Sequence, residues 1–199
     1  MTQDINYSAY NENAEKYVSH NNGGTTGGLT PARRVARFKK FLTNGRILEI
    51  GTGEGLDAAE LKNQGYEVIA SDFVESFLKM ANNKGLHTIK LDLKKDEIPV
   101  DLQPFDGVFA NAVFLHFNVE DLRKSLLKLK EAMTPHGYIY FSVMFGEGTK
   151  IAGGVKGIER EFFYYNKNAI RELLSGIGYD IDMLEYPVDE KWMHVIAHT

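Results

Sequence analysis

The hydrophobic pattern changes character along the chain. Residues 1–30 are polar and rich in Asn and Tyr; a short helix is predicted over 11–19, and the glycine-rich run at 21–28 reads as a hinge or loop. Thr30-Pro31 is an N-cap followed by proline at the first helical position, and Val35, Phe38 and Leu42 recur at helical spacing, so an amphipathic helix is expected over 31–42. From Arg46 onward, short apolar runs alternate with helical segments. Strands are predicted over 46–50, 66–71, 87–91, 105–110 and 138–143, with helices over 55–64 and 75–83 between them. Asn118 caps a further helix whose stripe is Leu122, Leu126, Leu129 and Met133, stopped by Pro135. A long segment, 144–165, follows; a helix begins at Asn166, and 180–186 and 192–198 read as an antiparallel pair. This alternation predicts an α/β protein with a seven-stranded, mostly parallel sheet, helices on both faces and a C-terminal antiparallel hairpin.

Composition narrows the picture. The 199 residues are 43% hydrophobic and 25% charged, which is one domain's worth of ordinary globular chain and excludes a disordered tail, a collagen-like fibre and a coiled-coil rod. Residues 1–199 are therefore expected to form a single domain. There is no cysteine, so thiolate–zinc sites and cysteine nucleophiles are excluded. The first residues lack a basic region followed by an apolar stretch, and no apolar run approaches the ~20 residues that span a bilayer. A net charge of −4 does not advertise a nucleic-acid partner, and Arg33, Arg34, Arg37, Lys39 and Lys40 read as one solvated helix face. The expectation is a cytoplasmic monomer or homodimer with no membrane or nucleic-acid partner. No His/Asp/Glu set has metal-ligand spacing.

The chemistry gathers at the ends of the predicted strands. Ile47 to Gly55 joins the first strand to the first helix, where a glycine turn lets backbone approach a ligand. Gly51, Gly53 and Gly55 are spaced G-x-G-x-G, and Leu56 stands where the dinucleotide fingerprint needs its third glycine. Glu49 and Glu54 flank the turn; carboxylates repel a pyrophosphate but suit an ammonium or sulfonium, which favours a cationic nucleoside over a nicotinamide dinucleotide. Asp72 ends the second strand, where a carboxylate can accept ribose hydroxyls, and Asp92 ends the third. The bland alternative for each acid is a turn cap.

These stretches resemble the class I S-adenosylmethionine-dependent methyltransferases. The resemblance runs over residues 30–199 and rests on LEIGTGEG (48–55), ASDF (70–73), KLDL (90–93), FDGVFANAVFLHF (105–117), LKEAMTPHGYIYFSV (129–143) and the closing hairpin. Pro135-His136-Gly137 departs from the family's usual Pro-Gly-Gly. The resemblance implies a Rossmann-like fold and S-adenosylmethionine as cofactor. It places Glu49, Gly51, Thr52, Gly53 and Gly55 around the methionine moiety, Asp72 on the ribose, and Phe73, Asp92 and Leu93 around the adenine. Asn111 and Ala112 stand near the methionyl amine, and Tyr17 closes over the cofactor. His116, just past the fourth strand, is the candidate catalytic base or substrate contact, and Tyr10 is a second substrate candidate. Residues 1–30, as a lid, and the insertion 144–165 are left to choose a small-molecule acceptor. A catalytically silent cofactor-binding module and, less favoured, a nicotinamide-dependent oxidoreductase remain as alternatives.

Overall fold

A strand buried on both faces reads as an unbroken apolar run, and these runs form the centre of the sheet. The computed structural model describes residues 5–20, 22–26, 28–155, 158–186 and 191–199. The strands are β1 (Arg46–Ile50), β2 (Glu67–Asp72), β3 (His87–Lys90), β4 (Phe105–Ala110), β5 (Met133–Phe145), β6 (Thr149–Val155), β7 (Ile158–Tyr165), β8 (Asp180–Glu185) and β9 (Trp192–His198). Strands β3, β2, β1, β4 and β5 pair in that order and in parallel. On the far side of β5, β9 runs antiparallel from Tyr138↔His198 to Met144↔Trp192, and β8 pairs antiparallel with β9.

Side chains of alternate strand positions go to opposite faces. Leu48, Ile50, Val108, Ala110, Ile139 and Phe141 join one core, and Ile47, Phe109, Tyr140 and Ile196 the other. Helices α5 (Val119–Glu131) and α6 (Lys167–Gly176) cover the first face with Leu122, Leu126, Leu129, Ile170 and Leu174. Helices α2 (Pro31–Phe38), α3 (Leu56–Asn63) and α4 (Glu75–Asn82) bring Val35, Phe38, Ala58, Leu61 and Ala81 to the second. The predicted caps form: Asn118 Oδ1 accepts from the Asp121 N–H at 2.9 Å and Asn166 Oδ1 from the Ala169 N–H at 2.9 Å.

Three expectations need correction. The first helix, α1, runs Ile5–Ser19 rather than 11–19; Asn6, Ala9 and Ala14 are buried, with Ala9 packed beside Ile158 of β7 and Ala14 beside Phe77 of α4. Its helicity is sustained by that packing rather than by its polar sequence. Segment 144–165 is the end of β5 and a β6–β7 hairpin, so the described residues hold nine strands instead of seven, with β7 pairing in parallel with β5 at Met144↔Tyr164 and Phe145↔Tyr165. Finally, Arg34 does not belong to a solvated face: it is fully buried and ion-paired with Asp57 at 2.8 Å. Its guanidinium also donates to the Gly24 and Leu29 carbonyls, so the expected glycine hinge is tied to α2 at Gly24 and again just past its end. Arg37, by contrast, reaches outward to Glu185 at 2.6 Å.

Removing Arg34 leaves Asp57 buried without its cation. Arg34→Met should lower unfolding free energy by about 3–5 kcal/mol in urea titration, and adding Asp57→Leu should recover part of that loss. Equal stability of Arg34→Met and the parent would refute the buried-pair assignment.

Candidate functional site

The carboxyl ends of β1, β2 and β4 open onto three adjoining cavities of about 120, 60 and 300 Å³. The first lies over the glycine turn, lined by Gly51, Thr52, Gly53, Glu54, Asp57, Asp72 and Asn111. The second continues past Asp72 between Phe73, Leu91, Leu93 and Phe117. The third lies beyond Ala112, between α1, β7 and Trp192. Tyr10 and His116 line all three.

The turn is built to bring backbone to the first cavity. Gly51 has φ +67°, and a Cβ there would come within 2.5 Å of Val113 Cγ2, whereas a Cβ on Gly53 would meet nothing within 4 Å. Gly55 has a different role. It stands at the start of α3 with φ +83°, and a Cβ would strike Leu86 at 2.7 Å and Ala81 at 3.0 Å, so its smallness serves the core and it lines none of the three cavities.

Asp72 joins the first two cavities. One carboxylate oxygen accepts from the Gly53 N–H and the other from the Val74 N–H, both at 2.9 Å, which fixes the side chain between the glycine turn and the start of α4. Burial pushes its carboxyl up to about 6 against those backbone bonds. Glu49 lies behind the turn, 3% exposed, with Oε2 buried and without a hydrogen-bond partner. Burial, then the nearby Asp57 charge, pushes it up to about 8. The Thr52 hydroxyl, also buried, lies close enough to Glu49 to lower it somewhat against that rise. A buried carboxyl in this condition is suited to receive a positively charged group with hydrogen-bond donors, giving up its proton as that group enters.

Asn111 Oδ1 accepts from the Ser142 hydroxyl at 2.8 Å, and Ser142 accepts from the Ala112 N–H at 2.9 Å. This holds Ala112 at φ +56°, a left-handed conformation that a non-glycine residue adopts only when its surroundings enforce it. Phe73 stacks on Tyr7 at 5.5 Å, closing the second cavity from the α1 side. Leu93 lines that cavity. Asp92 lines it too, while its carboxylate accepts from the Lys94 N–H at 3.2 Å and pairs with Lys95 at 2.6 Å, which is the turn-capping geometry.

His116 joins α1 to β7 through both of its ring nitrogens. Its Nδ1 is 2.8 Å from the Glu161 carbonyl, which can only accept, so Nδ1 carries the proton and Nε2 accepts from the Tyr10 hydroxyl at 2.9 Å. Arg160 donates to that same hydroxyl at 2.8 Å. Tyr17 packs edge-on against Tyr10 at 5.2 Å, which places it over the first and third cavities. Burial pushes both tyrosines up, so they are neutral donors. Among the described residues no group of three or more side chains could hold a metal ion, and no helix is long and apolar enough to cross a membrane.

Arg34 and Arg160 are the cavity-lining charged side chains that sequence reasoning missed. Arg34 is one helical turn before Phe38, on the buried face. Arg160 falls between Ile158 and Phe162 at strand period, with both neighbours buried.

A family profile described as a methyltransferase domain matches residues 48–141. The chain is 30% identical over 168 residues to an uncharacterized methyltransferase of Alkaliphilus oremlandii, covering 78% of this chain and 76% of that protein. The chain belongs to the class I S-adenosylmethionine-dependent methyltransferases. The Rossmann-like fold of this methyltransferase is shared with the DhpI–SAM–HEP complex at TM-score 0.81 and 16% identity, over 98% of this chain and 96% of that one. It is shared also with Burkholderia thailandensis 1,6-didemethyltoxoflavin-N1-methyltransferase, solved with 1,6-didemethyltoxoflavin and S-adenosylhomocysteine, at TM-score 0.75 and 18% identity, over 100% and 91% of the two chains.

The raised carboxyls set a pH dependence for the methyltransferase. Glu49 and Asp72 keep protons in the folded, ligand-free protein that the unfolded chain has already released, so their contribution to stability is full near pH 4 and is lost as pH rises through about 6 and then about 8. The melting temperature of the ligand-free protein should fall between about pH 5 and pH 8, and Glu49→Gln should flatten the upper part of that fall. An unchanged slope in the variant would remove Glu49 from the account.

Proposed function

We propose that this methyltransferase moves a methyl group from S-adenosylmethionine to a small-molecule acceptor by in-line displacement. The cofactor lies in the first two cavities and the acceptor in the third. The observation that carries the reading is the ring of buried carboxyls around the glycine turn, Glu49 and Asp72 at strand ends and Asp57 in the first turn of α3, with Asp72 between a backbone-lined cavity and an apolar one. Asp72 would accept the ribose hydroxyls. Gly51, Thr52, Gly53, Glu49 and the Asn111–Ala112 backbone would hold the methionine moiety, and Phe73, Leu93 and Asp92 the adenine. Tyr17 would cover the junction. Gly55 acts only through the turn.

When bound, S-adenosylmethionine supplies a methyl group on a cationic sulfur, open to displacement from its far side. The protein's contribution is then to hold the two reactants in line and exclude water. Tyr10 and His116, on the walls of all three cavities, stand where cofactor and acceptor meet. His116, its Nδ1–H fixed on the Glu161 carbonyl, presents Nε2 as the proton acceptor for an acceptor that arrives protonated, once the Tyr10 hydroxyl turns from it. The Burkholderia thailandensis neighbour, solved with 1,6-didemethyltoxoflavin, supports a small-molecule acceptor. We read residues 1–199 as one domain, with 1–30 as the cap over the cofactor and 144–165 as the acceptor side.

Calorimetric titration tests this reading. S-adenosylhomocysteine should bind in the micromolar range, about −8 kcal/mol, and NAD should not bind. Asp72→Asn should weaken S-adenosylhomocysteine about 100-fold, consistent with two charged hydrogen bonds at roughly 1.5–3 kcal/mol each partly retained by the amide. Binding of NAD in place of S-adenosylhomocysteine would overturn the proposal.

A further inference from the structure

The acidic character of the cofactor cleft stops at Tyr10. In the third cavity, Arg160 is the one permanently charged side chain in the lining among the described residues, and no carboxylate lines it. Arg160 is 7% exposed, and no described acid pairs with it. Its guanidinium carbon lies 5.3, 5.6 and 5.1 Å from the ring centres of Tyr10, Tyr17 and Phe162, so three aromatic walls surround a cation. Nη1 donates to the Tyr10 hydroxyl, while Nε is buried with no acceptor. Arg34 makes the contrast: its guanidinium is spent on Asp57 and two carbonyls. A buried guanidinium with an unused donor and, among the described residues, no counter-ion is suited to a planar or tetrahedral oxyanion.

We propose that Arg160 anchors an anionic group, a carboxylate or a phosphate ester, on the methyl acceptor. The inference rests on the methyltransferase reading, because the cavity meets the cofactor cleft at Tyr10, Ala112 and His116. The anion is held at the far wall, away from Glu49 and Asp72, and a cationic acceptor is repelled by the buried guanidinium. Tyr10 links the anchor to His116, so seating the anion also repositions the hydroxyl that occupies His116 Nε2.

Trp192 is the chain's single tryptophan and lines this cavity, which makes its fluorescence a local reporter. The full chain, first shown by calorimetry to bind S-adenosylhomocysteine and then saturated with it, is titrated with phenyl phosphate, benzoate and benzylamine. At least one anion should change Trp192 emission at concentrations about tenfold or more below benzylamine, and the stronger of the two anions tells phosphate from carboxylate. Arg160→Gln should weaken that anion by about 30-fold or more and leave S-adenosylhomocysteine affinity within about twofold, and Arg160→Lys should retain most of the anion binding. Should Arg160→Gln fail to fold, the anion-to-amine comparison on the parent and Arg160→Lys decides alone. Benzylamine binding as tightly as the anions, no anion response in protein that binds S-adenosylhomocysteine, or full anion affinity in Arg160→Gln each overturns the anchor and leaves Arg160 as a clamp between α1 and β7. Failure to bind S-adenosylhomocysteine overturns the methyltransferase reading itself.

Discussion

Three carboxyl groups buried around one glycine turn govern this structure. Glu49, Asp57 and Asp72 each lose hydration, and burial raises all three above the ordinary carboxyl range. Among the described residues one buried cation, Arg34, answers them directly, and it is committed to Asp57. Asp72 is held by backbone N–H groups, and Glu49 is buried with little beyond the neighbouring Thr52 hydroxyl to offset its burial. Such an arrangement is costly for the free protein and becomes favourable when a cationic ligand enters, which is the electrostatic logic of a sulfonium cofactor.

The rest of the fold supplies that geometry. Parallel strands end together, so Glu49 near the end of β1, Asp72 at the end of β2 and Asn111 after β4 are brought to one edge. The Arg34–Asp57 pair ties α2 to the first turn of α3 and pins Gly24 and Leu29 beside the cleft. Helix α1 lies over α4 and β7, and its Tyr10 stands at the boundary between an acidic compartment and a basic one.

Much of this was legible in the chain. Near-continuous apolar runs marked the parallel strands, Asn118 and Asn166 marked helix starts, and the acids at strand ends marked the cleft. The β6–β7 hairpin was not legible, because charged Arg160 interrupts the alternation of Ile158 and Phe162, and Gly153-Gly154 weakens the strand signal before it. Arg34 looked like one of five basic residues on a solvated face; only tertiary pairing with Asp57, 23 positions away, explains its burial. Gly55 carried the motif's spacing and so resembled its neighbours, although its conformation answers to Leu86 and Ala81 in the core. Spacing identifies a loop as a unit. It does not separate the residues that face the ligand from those that shape the turn.

The central claim is that the buried acids define a cofactor cleft which opens, past Tyr10 and His116, onto the Arg160 cavity. A crystal structure of the full chain with S-adenosylhomocysteine tests it most directly. The account predicts the ribose hydroxyls on Asp72, the amine at the Gly51–Gly53 turn near Glu49, and the sulfur directed toward the cavity that Arg160 and Trp192 line. A ligand seated away from Asp72, or with its sulfur turned from that cavity, would contradict it.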